Sequence, residues 1–239
     1  MKEINLNVQN GETTIRTGEA ARLDVAKSIK ITGRLSAPFD FMEKKNMINQ
    51  YQANYCHLLI DKDTGTLTLH ANEKSTIAED VIIGRLEISP ELKEWDINGD
   101  NRWNVRDFIK FLRARKFYFQ DPSEHSSLIE NLQKWNVSIE RIIKEENNNT
   151  GNSHLSLETK VTKALEKNSF KLELPIYKGY GKKKFTVEIG LDPQAVSVQM
   201  FLVSSDLHTL ILSERDALFT EELSKFDRLG FDCSRVHIS

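Results

Sequence analysis

Five oxygen-bearing side chains fall at calcium-loop spacing between residues 96 and 107. Asp96, Asn98, Asp100, Asn104 and Asp107 occupy positions 1, 3, 5, 9 and 12 of a twelve-residue stretch. A hard cation such as calcium takes about six to eight oxygens, and a loop with this spacing can wrap one. Position 6, where a sharp turn favours glycine, is Asn101, and position 12 is the short Asp107. No second copy of the loop accompanies it. The same residues also read as a turn at Asn98-Gly99 followed by a helix cap at Asn104, which needs no metal. On that reading no calcium binds, and no cofactor is expected anywhere in the chain.

The segment that follows is basic and aromatic. From Arg102 to Lys116 there are six cations and one acid, in a chain with 33 Lys and Arg against 35 Asp and Glu. Arg106, Lys110 and Arg113 recur at four- and three-residue steps and so share one helix face. Trp103, Phe108, Phe111, Phe117, Tyr118 and Phe119 are interleaved with them. Cations that track phosphates, together with rings on which bases stack, are what single-stranded nucleic acid requires. Arg102, Arg106, Lys110, Arg113 and Lys116 are the candidate contacts. Lys182 and Lys183 join them from a basic hairpin tip, Lys178 to Lys184. The plainer alternative is an amphipathic helix with Phe108, Phe111 and Leu112 in the core and a solvated basic face. On that alternative the tip lysines only guard a strand edge.

Catalytic constellations are thin, and an enzyme is disfavoured. The histidines at 57, 70, 125, 154, 208 and 237 show no metalloprotease spacing. Cys56 and His57 are adjacent, which in a strand turns them to opposite faces. No nucleophile elbow or phosphate-binding P-loop is present. Gly179-Tyr180-Gly181 is too short for a dinucleotide fingerprint. Two cysteines are too few for a disulfide framework. The 239 residues carry a net charge of −2, with 39% hydrophobic residues. That composition describes a folded protein, and no apolar stretch is long enough to cross a bilayer. No membrane partner is expected, and the cytoplasm is the expected compartment.

The elements that would position these residues fall into an α+β order. Antiparallel β-rich N-terminal and C-terminal parts flank a central helical hairpin. Strands are expected at Ile4–Val8 before the Asn10-Gly11 turn, at Ser28–Gly33 (ended by Pro38) and at Val81–Ile88. A β-hairpin pairs His57–Ile60 with Thr66–His70. A short helix begins near Phe39. The two central helices span about 104–117, capped by Asn104, and about 123–146, capped by Ser123. In the second, Leu128, Leu132, Trp135, Ile139 and Ile142 form a four-turn apolar stripe, so Trp135 should be buried. Residues 1–148 form the first part and 149–153 a polar linker. Residues 154–239 form a smaller α+β part, with the two parts packing together. This second part opens with a short helix, Leu155–Leu165. Strands at Phe170–Tyr177, Lys184–Ile189, Val196–Leu202 and Thr209–Leu212 follow. A last helix is capped by Thr220 and stopped by Gly230.

Two resemblances bear on function. The stretch 96–107 with its following helix looks like an EF-hand or dockerin loop, and this implies a calcium-dependent protein-interaction module as one alternative. Over most of its length the chain resembles a family of phages and integrated mobile elements of Bacteroides-type bacteria, akin to the YfdQ-like prophage proteins. The residues that carry it are Ile31–Pro38, Phe41–Lys44, Phe108–Phe119 with Asp121, Gly151-Asn152, Phe170–Gly179 and Phe185–Ile189. The family supplies no activity and no site residues. It implies a non-virion accessory protein inside the bacterial host, and in it the 96–107 region is a loop and helix start without the oxygen pattern. The resulting expectation is a cytoplasmic, non-enzymatic protein of a mobile element that binds single-stranded nucleic acid or a host protein. An enzyme whose site assembles from distant residues is the remaining alternative.

Overall fold

The computed structural model describes residues 28–44, 51–73, 79–148, 169–193, 198–228 and 230–238. The expected strand at Ile4–Val8, the linker 149–153 and the helix Leu155–Leu165 lie outside the described residues. The chain runs β1 (Lys30–Arg34), α1 (Ala37–Lys44), β2 (His57–Asp61), β3 (Thr66–Ala71), β4 (Asp80–Arg85), α2 (Pro90–Trp95) and α3 (Val105–Arg113). It continues through α4 (Pro122–Asn148), β5 (Ser169–Pro175), β6 (Lys182–Pro193), β7 (Val198–Val203), α5 (Leu207–Arg228) and β8 (Ser234–Ile238). Single 3-10 turns stand at Ala53–Tyr55 and Lys116–Tyr118.

The class is α+β, with two sheets. The first has the order β1-β4-β3-β2-β8. Its centre is the expected hairpin, in which β2 and β3 pair antiparallel with His57 opposite His70, and β3 then pairs antiparallel with β4. Both edge strands join parallel, β1 on β4 and the C-terminal β8 on β2. Parallel neighbours need long connections, which is why these two pairs join distant parts of the chain. The period-two pattern buries Leu58, Ile60, Leu67, Leu69 and Ile82 completely on one face. There the β1–α1 turn and α1 press on β4 so closely that a Cβ at Gly84 would stand 2.5 Å from the Leu35 carbonyl and 2.9 Å from the Pro38 ring.

The second sheet, β5-β6-β7, is antiparallel throughout. Its buried face carries Phe170, Leu172, Leu174, Phe185, Val187, Ile189, Met200 and Leu202. Trp95, fully buried, sits at the centre of an aromatic cluster with Phe111, Tyr118, Phe119 and Phe170. Short bridges stitch the surrounding chain to this sheet: Ile88 to Tyr177, Trp103 to Met200 and Phe119 to Leu172.

The central helices pair as expected and run antiparallel. Arg106, early in α3, meets Glu140, late in α4, while His125, early in α4, donates its ring Nε2–H to the Leu112 carbonyl near the end of α3. Trp135 is 2% exposed. Several boundaries differ for local reasons. Helix α3 stops at Arg113 and a 3-10 turn takes over. The cap of α4 is Asp121, whose carboxylate accepts the Ser123 amide and hydroxyl. Pro38 lies inside the first turn of α1, where its missing N–H costs nothing. Strand β4 ends at Arg85, short of the expected Ile88, and Ser89 caps α2 by accepting the Leu92 amide at 3.0 Å. Thr209–Leu212 is helical and belongs to α5, since a four-residue apolar run does not distinguish strand from helix. Thr220 then falls mid-helix, its hydroxyl donating back to the Asp216 carbonyl.

Candidate binding groove

The oxygen-rich loop spends its side chains on the protein itself. Asp96 ends α2 in the left-handed conformation, and its carboxylate accepts the Asn101 amide at 2.9 Å. Asn98, with φ of 62°, donates through Nδ2 to the Ser204 carbonyl and accepts the Ser204 amide on Oδ1, both at 2.9 Å. Its own amide donates to the Leu202 carbonyl. The loop is thereby riveted to the end of β7. Asn104 caps α3 by accepting the Asp107 amide at 2.9 Å, and its Nδ2 donates to the Asp107 carboxylate. Lys110 and Asn104 hold that carboxyl below its ordinary range. Asp100 is exposed. Among the described residues no group of three or more His, Cys, Asp or Glu side chains is arranged to hold a metal ion.

The basic residues divide by position. Arg106, Lys110 and Arg113 do share a face, and with Ile109 they form one wall of an open groove of about 410 Å³. Helix α4 supplies the other wall through Gln133, Asn136 and Val137. Arg102 turns away: its guanidinium donates to the Gly99 and Asn101 carbonyls and stacks 4.4 Å over the Phe201 ring. Lys116 is exposed on the turn beyond α3. Lys182 is exposed at the start of β6, and Lys183 pairs with Glu214 of α5 at 2.7 Å. The hairpin lysines therefore line no part of the α3–α4 groove.

Within the groove the cations are largely engaged. Arg106 bonds Glu140 at 2.8 Å, and Asn136 donates to the same carboxylate. Lys110 bonds Asp107 at 3.0 Å. Arg113 has no ion pair among the described residues. The stacking rings are mostly consumed by the core. Tyr118 and Phe119 are 7% and 6% exposed, and burial raises the Tyr118 hydroxyl above its usual pKa. Phe108 is fully buried, Trp103 and Phe111 are half-buried, and of the six rings only Phe117, 65% exposed, stands free.

The sequence reading missed Val137, which is 51% exposed in the groove beside the buried Ile109. Its signal was present: an apolar residue off the Leu128–Leu132–Trp135–Ile139 stripe has no core to face. Compared with known proteins, the chain matches no family model, no curated protein and no solved structure. Among the described residues no helix is long and apolar enough to cross a membrane.

Proposed function

We propose that the chain is a binding protein whose α3–α4 groove receives an acidic, amphipathic segment of another protein. The carrying observation is Val137, half in solvent between the cations of α3 and the amides of α4. An apolar floor rimmed by positive charge complements a helix with apolar anchors and flanking carboxylates. Arg113 supplies charge that has no ion pair among the described residues, and Arg106 and Lys110 can exchange weak surface partners for the ligand's. A nucleic-acid strand is less well served, because only Phe117 of the six candidate stacking rings is exposed. The resemblance to prophage proteins supports a host protein in the bacterial cytoplasm as the partner.

Fluorescence anisotropy with two labelled probes tests this reading. One is a peptide carrying Leu and Glu at helical spacing, and the other is oligothymidine. The peptide should bind, and Val137→Asp and Arg113→Glu should each weaken it about tenfold, equivalent to about 1.4 kcal/mol. Oligothymidine binding would hand the groove to nucleic acid if its log-affinity falls by about 0.7 per contact against log-salt and vanishes on reversing Arg106, Lys110 and Arg113 to Glu.

A further inference from the structure

A second basic site lies where the two sheets meet. Strands β1 and β4 carry the same short pattern, Ile31-Thr32-Gly33-Arg34-Leu35 and Ile82-Ile83-Gly84-Arg85-Leu86. The parallel register aligns them residue for residue, with Gly33 beside Gly84 and Arg34 beside Arg85. Register partners in adjacent strands point to the same face about 5 Å apart. The two guanidinium stems therefore rise side by side at the carboxyl ends of the strands, on the face opposite α1. Lys178 approaches from the second sheet, because its amide donates to the Glu87 carbonyl at 2.9 Å. Together with Thr32, Gly33 and Glu87, these three cations line a cleft of about 380 Å³.

The tip of the β5–β6 hairpin is built around one of them. Gly179 has φ of +85°, and a Cβ placed there would stand 3.1 Å from the Arg34 guanidinium carbon. The positive φ favours glycine there, and the Arg34 guanidinium lies against the bare Cα. The charges are left unbalanced. Glu87, the one carboxylate among the described residues lining the cleft, pairs with Lys178 at 3.4 Å. Three acids around the Tyr180 hydroxyl lie outside the cleft lining: Asp40, which accepts the Ser36 hydroxyl, and Glu221 and Glu222, which share Lys225. Arg34 and Arg85 have no ion pair among the described residues. Like charges directly beside each other in a sheet are destabilising unless something lies between them.

We propose that this cleft binds the dianionic phosphate monoester of a small soluble molecule, held by Arg34, Arg85 and Lys178 with the Thr32 hydroxyl. Two guanidiniums without an ion pair among the described residues balance a phosphate monoester, which carries about −1.5 to −2 at neutral pH. Arginine forks grip phosphate oxygens in pairs, whereas a lysine acts as a point charge. The cleft is independent of the α3–α4 groove and shares no residue with it.

Calorimetric titration with inorganic phosphate, adenosine 5′-monophosphate and acetate tests the site. Phosphate and the nucleotide should saturate, and acetate should not. Tighter binding of the nucleotide would place its esterified group in the rest of the cleft, and equal binding would point to free phosphate. Arg34→Gln and Arg85→Gln should each weaken binding at least tenfold, and Lys178→Gln less. Circular dichroism should show these exposed variants folded, and Arg113→Gln in the groove should bind as the parent does. Absence of saturation, equal binding of acetate, or unchanged affinity in both arginine variants would overturn the proposal.

Discussion

The α3–α4 groove and the β1–β4 cleft are both lined by three cations, of which, among the described residues, two are ion-paired in the groove and one in the cleft. In the groove the basic residues come from one nine-residue helix, and helical spacing brings acids with them. Asp107 sits three residues before Lys110, and Glu140 crosses from the paired helix to Arg106. Such exposed pairs contribute little to stability and mute the local field. In the cleft the cations come from three separate stretches, and sheet register concentrates them with no ion-pair partner for the two arginines among the described residues. A dense run of charge along the chain is thus a poor guide to where the field is strongest. The groove offers an apolar floor with paired, exchangeable charge, whereas the cleft offers two arginines with no ion pair among the described residues.

The two regions also differ in what holds them, and the largest expected effect exploits this. The groove exists because α4 packs on α3 through a buried stripe, with Leu128 at 1%, Leu132 at 0% and Trp135 at 2% exposure. Trp135→Ala should cost about 3–5 kcal/mol, as removal of a buried aromatic leaves a cavity that neighbours fill only partly. Urea unfolding measures the loss. In the fraction that remains folded, peptide binding should fall while phosphate binding persists, since no cleft residue lies on either helix. Loss of both together would show that the two sites respond as one unit.

The next effect is smaller and falls on the cleft alone. Gly179→Ala forces an L-residue to φ of +85° and pushes a methyl against the Arg34 guanidinium. The backbone cost should be about 1–2 kcal/mol, above the usual glycine-to-alanine difference because the conformation is incompatible. Phosphate affinity should fall severalfold through displacement of Arg34, with the groove's peptide affinity unchanged. Unaltered phosphate binding would mean that Arg34 needs no support from the hairpin tip.

How much of this was legible in the sequence follows the range of the interactions. The hairpin between β2 and β3, the two central helices and the burial of Trp135 were read from short-range periodicity, where local pattern and tertiary packing agree. The parallel joining of β8 to β2 was not, because its register is set by contacts across most of the chain. The shared face of Arg106, Lys110 and Arg113 was visible from helical spacing, but their partners were not, since Glu140 belongs to another helix. The cleft was hidden for the same reason. Its signal, the repeated Ile-x-Gly-Arg-Leu, gains meaning only once the two strands are known to be neighbours in register.

The smallest expected effect is none, and it concerns the loop that leads into the groove. If residues 96–107 bound calcium, α3 would be re-aimed and the contrast between groove and cleft would become conditional on the ion. The observed bonding opposes this. Asn98 has both amide atoms on the Ser204 backbone, Asp96 accepts the Asn101 amide, and Asp107 is shared between Asn104 and Lys110. Ligation would have to break the rivet to β7 and the first-turn ion pair before gaining any cation contact. Millimolar calcium should therefore leave the melting temperature where it is. A site with a dissociation constant tenfold below the calcium concentration would stabilise by about 1.4 kcal/mol. For a chain of this size that amounts to a rise of roughly 3–6 °C. A rise of that order, abolished by Asp96→Ala, would show that the loop gives up its internal bonds for the ion, and the orientation of α3, and with it the groove, would then have to be counted as calcium-dependent.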